Sequence, residues 1–260
     1  MSSLELVLGD LAAEGAELDA RVAECSARDW DCPTPAPGWT VRHQIAHLAW
    51  TDQMALLSLT EPQRLAELSR PGGADPAGFV DRAAEQGAQR PPGELLSAWR
   101  AGRLELAQRL AAADGRKLTW FGPPMSATSM ATARLMETWA HGLDVAAGLG
   151  QPVAPTDRLW HVARLAGRTR DFAFRLHGLP VPAEEFWIDL SAPDGRRWTF
   201  GPADAAQRVT GSAWDFCRLA VQRCNRDEVG LRAEGAEADR WLDIIQAFAG
   251  PPGPGRGTGR

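Results

Sequence analysis

Apolar side chains recur at close to a 3.6-residue spacing over residues 4–24, at Leu4, Val7, Leu8, Leu11, Leu18 and Val22. That spacing predicts an amphipathic helix with an exposed acidic face. The run DCPTPAPGW, residues 31–39, is dense in proline and glycine and predicts a connection. Thr40 can cap a second helix reaching about Leu59, with Ile45, Leu48 and Leu56 turned inward. Residues 62–92, punctuated by Pro and Gly, read mostly as a long loop with room for a short helix; loops of that length are often functional. Helical spacing returns over 93–113 at Leu95, Leu96, Trp99, Leu106 and Leu110, and FGPP at 121–124 interrupts it. A fourth helix is predicted from about Ser126 to Leu149, stopped by Gly150 with Pro152 just beyond. Four amphipathic helices joined in this way predict a four-helix bundle.

The second half has another rhythm. A helix over 156–177 precedes EEFWIDLSAPDGRRWTF, residues 184–200, where Phe186, Ile188 and Leu190 alternate with Trp187 and Asp189. Trp198 and Phe200 resume the alternation after Pro-Asp-Gly, the pattern of a β-hairpin. A helix over 211–224, a strand over 228–233 and a last helix over 236–248 complete an α+β unit. The predicted class is therefore α plus α+β, with a helical bundle at 1–152 and a smaller α+β domain at 153–249. The Gly/Pro/Arg tail at 250–260 has too little apolar area to bury and is expected to be disordered.

A formal charge of -5 and a pI near 5.6 argue against a nucleic-acid or anionic-membrane surface. No apolar run approaches membrane-spanning length, and the N-terminus lacks a basic segment followed by an apolar one, so the sequence predicts a cytoplasmic protein. It says nothing of oligomeric state. Lys117 is the only lysine among 28 basic residues, tyrosine is missing, and the Ala/Gly/Pro/Arg bias reflects codon usage rather than function. Cys25, Cys32, Cys217 and Cys224 show no CxxC spacing and read as buried free thiols.

The chemistry concentrates in two runs, WTVRHQIAHLAW at 39–50 and RLMETWAHGLD at 134–144. Glu137 and His141 lie four apart, on one face of the fourth helix, and His47 lies within the second. A carboxylate and two imidazoles from two helices can hold a divalent metal with coordination positions left open, as catalytic sites do. Alone, a Glu-x-x-x-His pair equally describes a surface ion pair beside a core-edge histidine. The neighbours Leu135, Met136, Trp139 and Leu143 shift the balance, because they bury much of that helix and ionisable groups placed there need partners.

PTPAPGWTVRHQIAHLA and ATARLMETWAHGLDVA resemble the DinB-like superfamily, and more closely the mycothiol-dependent maleylpyruvate isomerase-like family of actinobacteria. The resemblance continues through WTFGPADAAQRVTG, DFCRLAVQR and ADRWLDIIQAFAGPPGPGR and so covers almost the whole chain. It implies a DinB-like N-terminal bundle holding a divalent metal, usually zinc, with His47, Glu137 and His141 as ligands. It also implies mycothiol as a thiol cosubstrate and a small organic substrate. A metal-activated thiolate can add to an activated double bond. If it leaves after bond rotation the outcome is cis–trans isomerisation, and if it stays the outcome is thiol transfer.

The chain departs from the family's pattern at His43, a position usually acidic or polar; a solvent-facing histidine is expected there, with a fourth-ligand or supporting role as the alternative. Asp144, three after His141, is a candidate to orient a ligand histidine or to end a surface ion pair. Trp39, Trp50 and Trp139 are candidate walls for substrate or cofactor, with core packing as the plainer reading of each. Arg223 resembles an arginine position in related isomerases that binds an anionic substrate or cofactor, against a surface arginine. His161 and His177 have no comparable surroundings and read as ordinary surface or core-edge residues. Two other functions fit the same residues: a metal enzyme that uses no thiol, such as a hydrolase or a biosynthetic tailoring enzyme, and a non-catalytic metal- or small-ligand-binding protein.

Overall fold

The computed structural model describes residues 2–69, 75–121, 124–250 and 253, and the chain divides into two compact units, Met1–Val153 and Ala154–Arg260. In the first, helix α1 (Ser3–Ala23) opens on a reciprocal capping box in which the Ser2 hydroxyl accepts from the Glu5 amide and the Glu5 carboxylate accepts from the Ser2 amide. A single turn, α2 (Ala27–Trp30), precedes α3 (Val41–Thr60). Then come α4 (Pro62–Ser69), α5 (Pro76–Ala88), α6 (Pro92–Ala111), a two-residue antiparallel pair β1 (Lys117–Leu118) and β2 (Met125–Ser126), and α7 (Ala127–Gly148).

The bundle packs α1 against α7 and α3 against α6, with α3 also meeting α7. Leu18 and Val22 of α1, Val41, Ile45 and Leu48 of α3, Leu95 and Trp99 of α6 and Val145 of α7 share one buried core. Each such side chain contributes roughly 1.5–3 kcal/mol on burial, so the faces of α3 and α7 that meet are fixed by packing.

The loop predicted over 62–92 is instead largely helical, as α4 and α5. Pro62 and Pro76 mislead because each is the first residue of a helix, a position whose amide has no partner within the helix. The Asp75 carboxylate accepts from the Gly78 amide to cap α5. Small residues then seat that helix: a Cβ at Gly87 would come within 2.9 Å of the Ala46 methyl, so α5 lies tight against α3. Residues 70–74 lie outside the described residues.

In the second unit the helix predicted over 156–177 is two, α8 (Leu159–Arg168) and α9 (Arg170–Leu176). They part at Thr169, whose backbone leaves helical geometry at φ -93° and ψ 6° and whose hydroxyl lies within hydrogen-bond distance of the carbonyls of Ala166 and Gln246. Strands β3 (Trp187–Ser191) and β4 (Arg197–Phe200) form the expected hairpin. Its turn places Gly195 at φ +85°, beside an Ala192–Arg196 backbone pair. A turn closed by a left-handed glycine is a standard three-residue hairpin.

Strand β5 (Arg208–Ser212) runs parallel to β3 and was not foreseen; the helix predicted from 211 begins only after it, as α10 (Ala213–Ala220). A 3-10 turn at Arg226–Glu228 precedes β6 (Arg232–Glu234), shorter and later than predicted, and α11 (Ala236–Ile244) follows. Among the described residues the sheet order is β4-β3-β5-β6. Of the predicted tail, only Gly250 and Gly253 fall within the described residues. Cys217 and Cys224 are buried, whereas Cys25 and Cys32 are only partly so; all four are free thiols. His177 is exposed and His161 half-buried against the Trp160 ring.

Candidate functional site

The site starts in the proline-rich connection. Ala36-Pro37-Gly38-Trp39 closes a turn in which the Trp39 amide bonds the Ala36 carbonyl at 3.0 Å and Gly38 adopts φ +78°. Proline followed by a left-handed glycine is the preference of a type II turn. Around it the Val41 amide bonds the Cys32 carbonyl and the Thr34 amide bonds the Trp39 carbonyl, so the segment folds back as a small hairpin leading into α3. Trp39 is thereby set beside the first turns of α3, with its indole N–H donating to Asp81 of α5 at 3.0 Å.

His47 from α3 meets Glu137 and His141 from α7. His47 Nε2 and His141 Nε2 each lie 3.3 Å from the same oxygen, Glu137 Oε2. One ligating atom from each of the three residues falls within 4.8 Å of the other two. Zinc bonds of about 2.0–2.2 Å at a tetrahedral angle separate neighbouring ligand atoms by roughly 3.3–3.6 Å. The two Nε2–Oε2 separations match that edge, and the donor set of two imidazoles and a carboxylate suits a divalent transition metal. The residues present therefore fit the metal that the resemblance implies. Bound there, the metal would retain open positions and would supply acidity to a coordinated water or thiol.

All three side chains are mostly shielded, with exposures of 8 % for His47, 13 % for His141 and 22 % for Glu137. Burial pushes the Glu137 carboxyl up, but hydrogen bonds from His141 and His47, together with their charge, outweigh it and hold the group well below its usual 4.5. Glu137 is thus ready as an anion.

Aromatic rings enclose the pair of imidazoles. The ring centroids of His47 and His141 are 4.5 Å apart, and the Trp39 ring lies 5.3 Å from the first and stacks at 6.0 Å on the second. The Trp50 ring lies 6.0 Å from His47 and continues to Phe79 and Phe121. Trp139, also read as a wall, is buried on α7 with 4 % exposure. An open cleft of about 580 Å³ borders Trp39 and His43 and is lined further by Gly38, Asp81, Arg82 and Glu85.

His43 is not solvent-facing as expected; its side chain is 14 % exposed. Its Nδ1 accepts from the Thr40 amide at 3.2 Å, and its Nε2 meets Glu85 Oε2 at 2.9 Å. Both nitrogens are engaged at the start of α3. Replacing it, His43→Ala, is expected to lower stability by about 1 kcal/mol, the order of a lost helix-start bond plus an exposed ion pair. Zinc affinity should not change; a loss of tenfold or more in a chelator competition would show that His43 is a ligand after all.

Asp144 is buried on α7, 1 % exposed. At His141 Nδ1 lies Gln44 Oε1, 2.5 Å away. Gln44 escaped notice in the sequence because a glutamine within a helix carries no motif; its spacing three before His47 was the only available signal. Beyond the triad, Arg134 of α7 and Asp52 of α3 form a buried ion pair at 2.8 Å. Arg223 lies in the second unit, just after α10, where its guanidinium donates to the Val221 carbonyl at 2.8 Å.

The mycothiol maleylpyruvate isomerase N-terminal domain model matches residues 11–146. Two curated proteins of Mycobacterium tuberculosis, the uncharacterized proteins MT0041 (strain CDC 1551 / Oshkosh) and Rv0036c (strain ATCC 25618 / H37Rv), are each 56% identical over 250 residues, covering 96% of this chain and 97% of theirs. A crystal structure of the mycothiol-dependent maleylpyruvate isomerase superposes with a TM-score of 0.59 at 17% identity, covering 88% of this chain and 92% of that one. A histidine-to-alanine mutant of that enzyme gives 0.58 at 19% identity, with the same coverage. At such identities these likenesses establish the fold. With the family model spanning more than half of its length, the chain belongs to the mycothiol maleylpyruvate isomerase N-terminal domain family.

Proposed function

We propose that this protein is a divalent-metal enzyme, with zinc the favoured ion, that activates a thiol for isomerisation of, or transfer to, a small electrophilic organic substrate. Mycothiol is the cosubstrate proposed, from the family to which the chain belongs. The observation carrying the reading is the convergence of His47 Nε2, Glu137 Oε2 and His141 Nε2 at the spacing of neighbouring metal ligands, with three protein ligands among the described residues. His43, whose recruitment would close the coordination sphere and favour simple metal storage, is committed to Thr40 and Glu85.

In this reading Glu137 supplies the negative charge that balances the cation, and the imidazoles supply neutral donors. Trp39 and Trp50 form apolar walls that keep water from a thiolate. Asp144, buried on α7, is proposed to orient a ligand histidine, and Arg223 to bind an anionic group of substrate or cofactor. No helix among the described residues is long and apolar enough to cross a membrane, which suits a small-molecule substrate taken from water.

The test is a metal analysis of the purified protein, followed by turnover of maleyl and enoyl electrophiles with and without mycothiol. One metal per chain and turnover that needs the thiol are expected. Turnover in thiol-free buffer would select a metal-bound water as the reagent instead, and a chain that retains no divalent metal would remove the proposal.

A further inference from the structure

We propose that Gln44 is a positioning residue that fixes Nδ1 of His141 as a hydrogen-bond donor, through a one-way hydrogen-bond relay running from the Trp39 carbonyl. The proposal rests on the metal reading for its consequence but not for its geometry. Its members are Trp39 O, Thr34 Oγ1, Gln44 and His141 Nδ1. The links are 2.9 Å from Thr34 Oγ1 to Trp39 O, 2.8 Å from Gln44 Nε2 to Thr34 Oγ1, and 2.5 Å from His141 Nδ1 to Gln44 Oε1.

The polarity of this chain has one solution. A carbonyl oxygen only accepts, so the Thr34 hydroxyl spends its single hydrogen on Trp39 O. The hydroxyl then presents a lone pair to Gln44, which must turn its NH₂ toward Thr34. The amide oxygen is left facing His141, so Nδ1 of that ring carries a hydrogen. Gln44 is fully buried, and reversing its amide would set two acceptors against each other at His141 and two donors against each other at Thr34. Each buried mismatch costs about 1–3 kcal/mol. With Nδ1 fixed as a donor, Nε2 is the atom turned to Glu137, its hydrogen shared with that carboxylate until a cation displaces it.

The two imidazoles are therefore unequal. His47 Nδ1 is buried and has no hydrogen-bond partner among the described residues, so nothing comparable holds that ring. His141 is the pre-aimed ligand of the pair. The relay also ties the site to the Pro37-Gly38 turn, because the residue whose carbonyl ends it, Trp39, is the one whose ring stacks on His141.

Three variants of the full chain separate the possibilities. Gln44→Met keeps length and removes the acceptor; Gln44→Glu keeps an acceptor, and the Thr34 hydroxyl can turn its hydrogen to it; Thr34→Val removes the group that orients the amide. Groups that orient a ligand histidine typically contribute 10–100-fold to metal affinity. Zinc binding by chelator competition is expected to weaken by that factor in Gln44→Met and to stay within about threefold of the parent in Gln44→Glu, a rescue that loss of packing would not give.

Independently of metal, ring ¹⁵N spectra of the metal-free parent should show His141 Nδ1 protonated and protected from exchange, with protection reduced in Thr34→Val. A bare Nδ1 in the parent would overturn the proposal. So would a folded Gln44→Met with unchanged zinc affinity and an unchanged Nδ1–H signal. If the parent binds no zinc, the functional reading falls while the ¹⁵N result still decides the relay.

Discussion

Glu137→Ala is expected to weaken zinc binding by roughly 10²–10³-fold. Four-ligand zinc sites bind with about 10–16 kcal/mol, or about 2.5–4 kcal/mol per ligand, and Glu137 is the one anionic ligand of the three. Its oxygen also lies 3.3 Å from both imidazole nitrogens, so its loss removes the bridge that holds them together. The measurement is zinc affinity by chelator competition alongside thiol-dependent turnover. Parent-like values of both would refute the site.

A second readout follows from the depressed carboxyl of Glu137. A carboxyl whose folded pKa lies below its unfolded one stabilises the fold above the unfolded value, near 4.5, and that contribution disappears as pH falls through the folded value. The metal-free parent should therefore lose more stability than Glu137→Ala when acidified below about pH 4.5. Parallel curves for the two proteins would contradict the pairing of Glu137 with the imidazoles.

Arg134→Met is expected to destabilise the first unit by about 3–5 kcal/mol, the usual consequence of stripping one partner from a buried ion pair. Arg134 is 2 % exposed and holds Asp52 through Nε, while its Nη2 has no hydrogen-bond partner among the described residues. Burial raises the Asp52 carboxyl above its ordinary value against the pull of Arg134, so removal of the arginine leaves an acid with little compensation. The pair is already strained by desolvation, and Arg134→Met with Asp52→Leu should regain most of the loss. Urea unfolding followed by tryptophan fluorescence measures both. A single variant with the parent's midpoint, or a double variant weaker than the single, would overturn this account. Because Asp52 and Arg134 follow and precede the ligands on the same two helices, part of any change in zinc affinity would report their effect on how α3 meets α7.

Much of the fold was legible because periodicity records burial. The helices at α1, α3, α6 and α7 follow from apolar spacing and, for α3, from a start at Thr40, and the β3–β4 hairpin follows from alternation around Asp-Gly. The misreadings share a cause. Pro62 and Pro76 looked like breakers and are helix openers, Thr169 marks a break between two helices while its hydroxyl bonds a carbonyl distant in sequence, and β5, RVTGS, has one large apolar side chain, Val209, so it shows no alternation and exists because β3 and β6 flank it.

The sequence by itself determined the ligand types, the Glu137/His141 pairing on one helical face, and the turn chemistry of Pro37-Gly38, because each depends only on neighbours within a few residues. Only the tertiary structure decided that His47 meets the pair, that His43 turns instead to Glu85 of a helix not foreseen, and that Gln44 faces His141 Nδ1. Those contacts join residues tens of positions apart. They are set by how the cores of α3, α5 and α7 pack, and no local pattern encodes which polar atom will lie across from which.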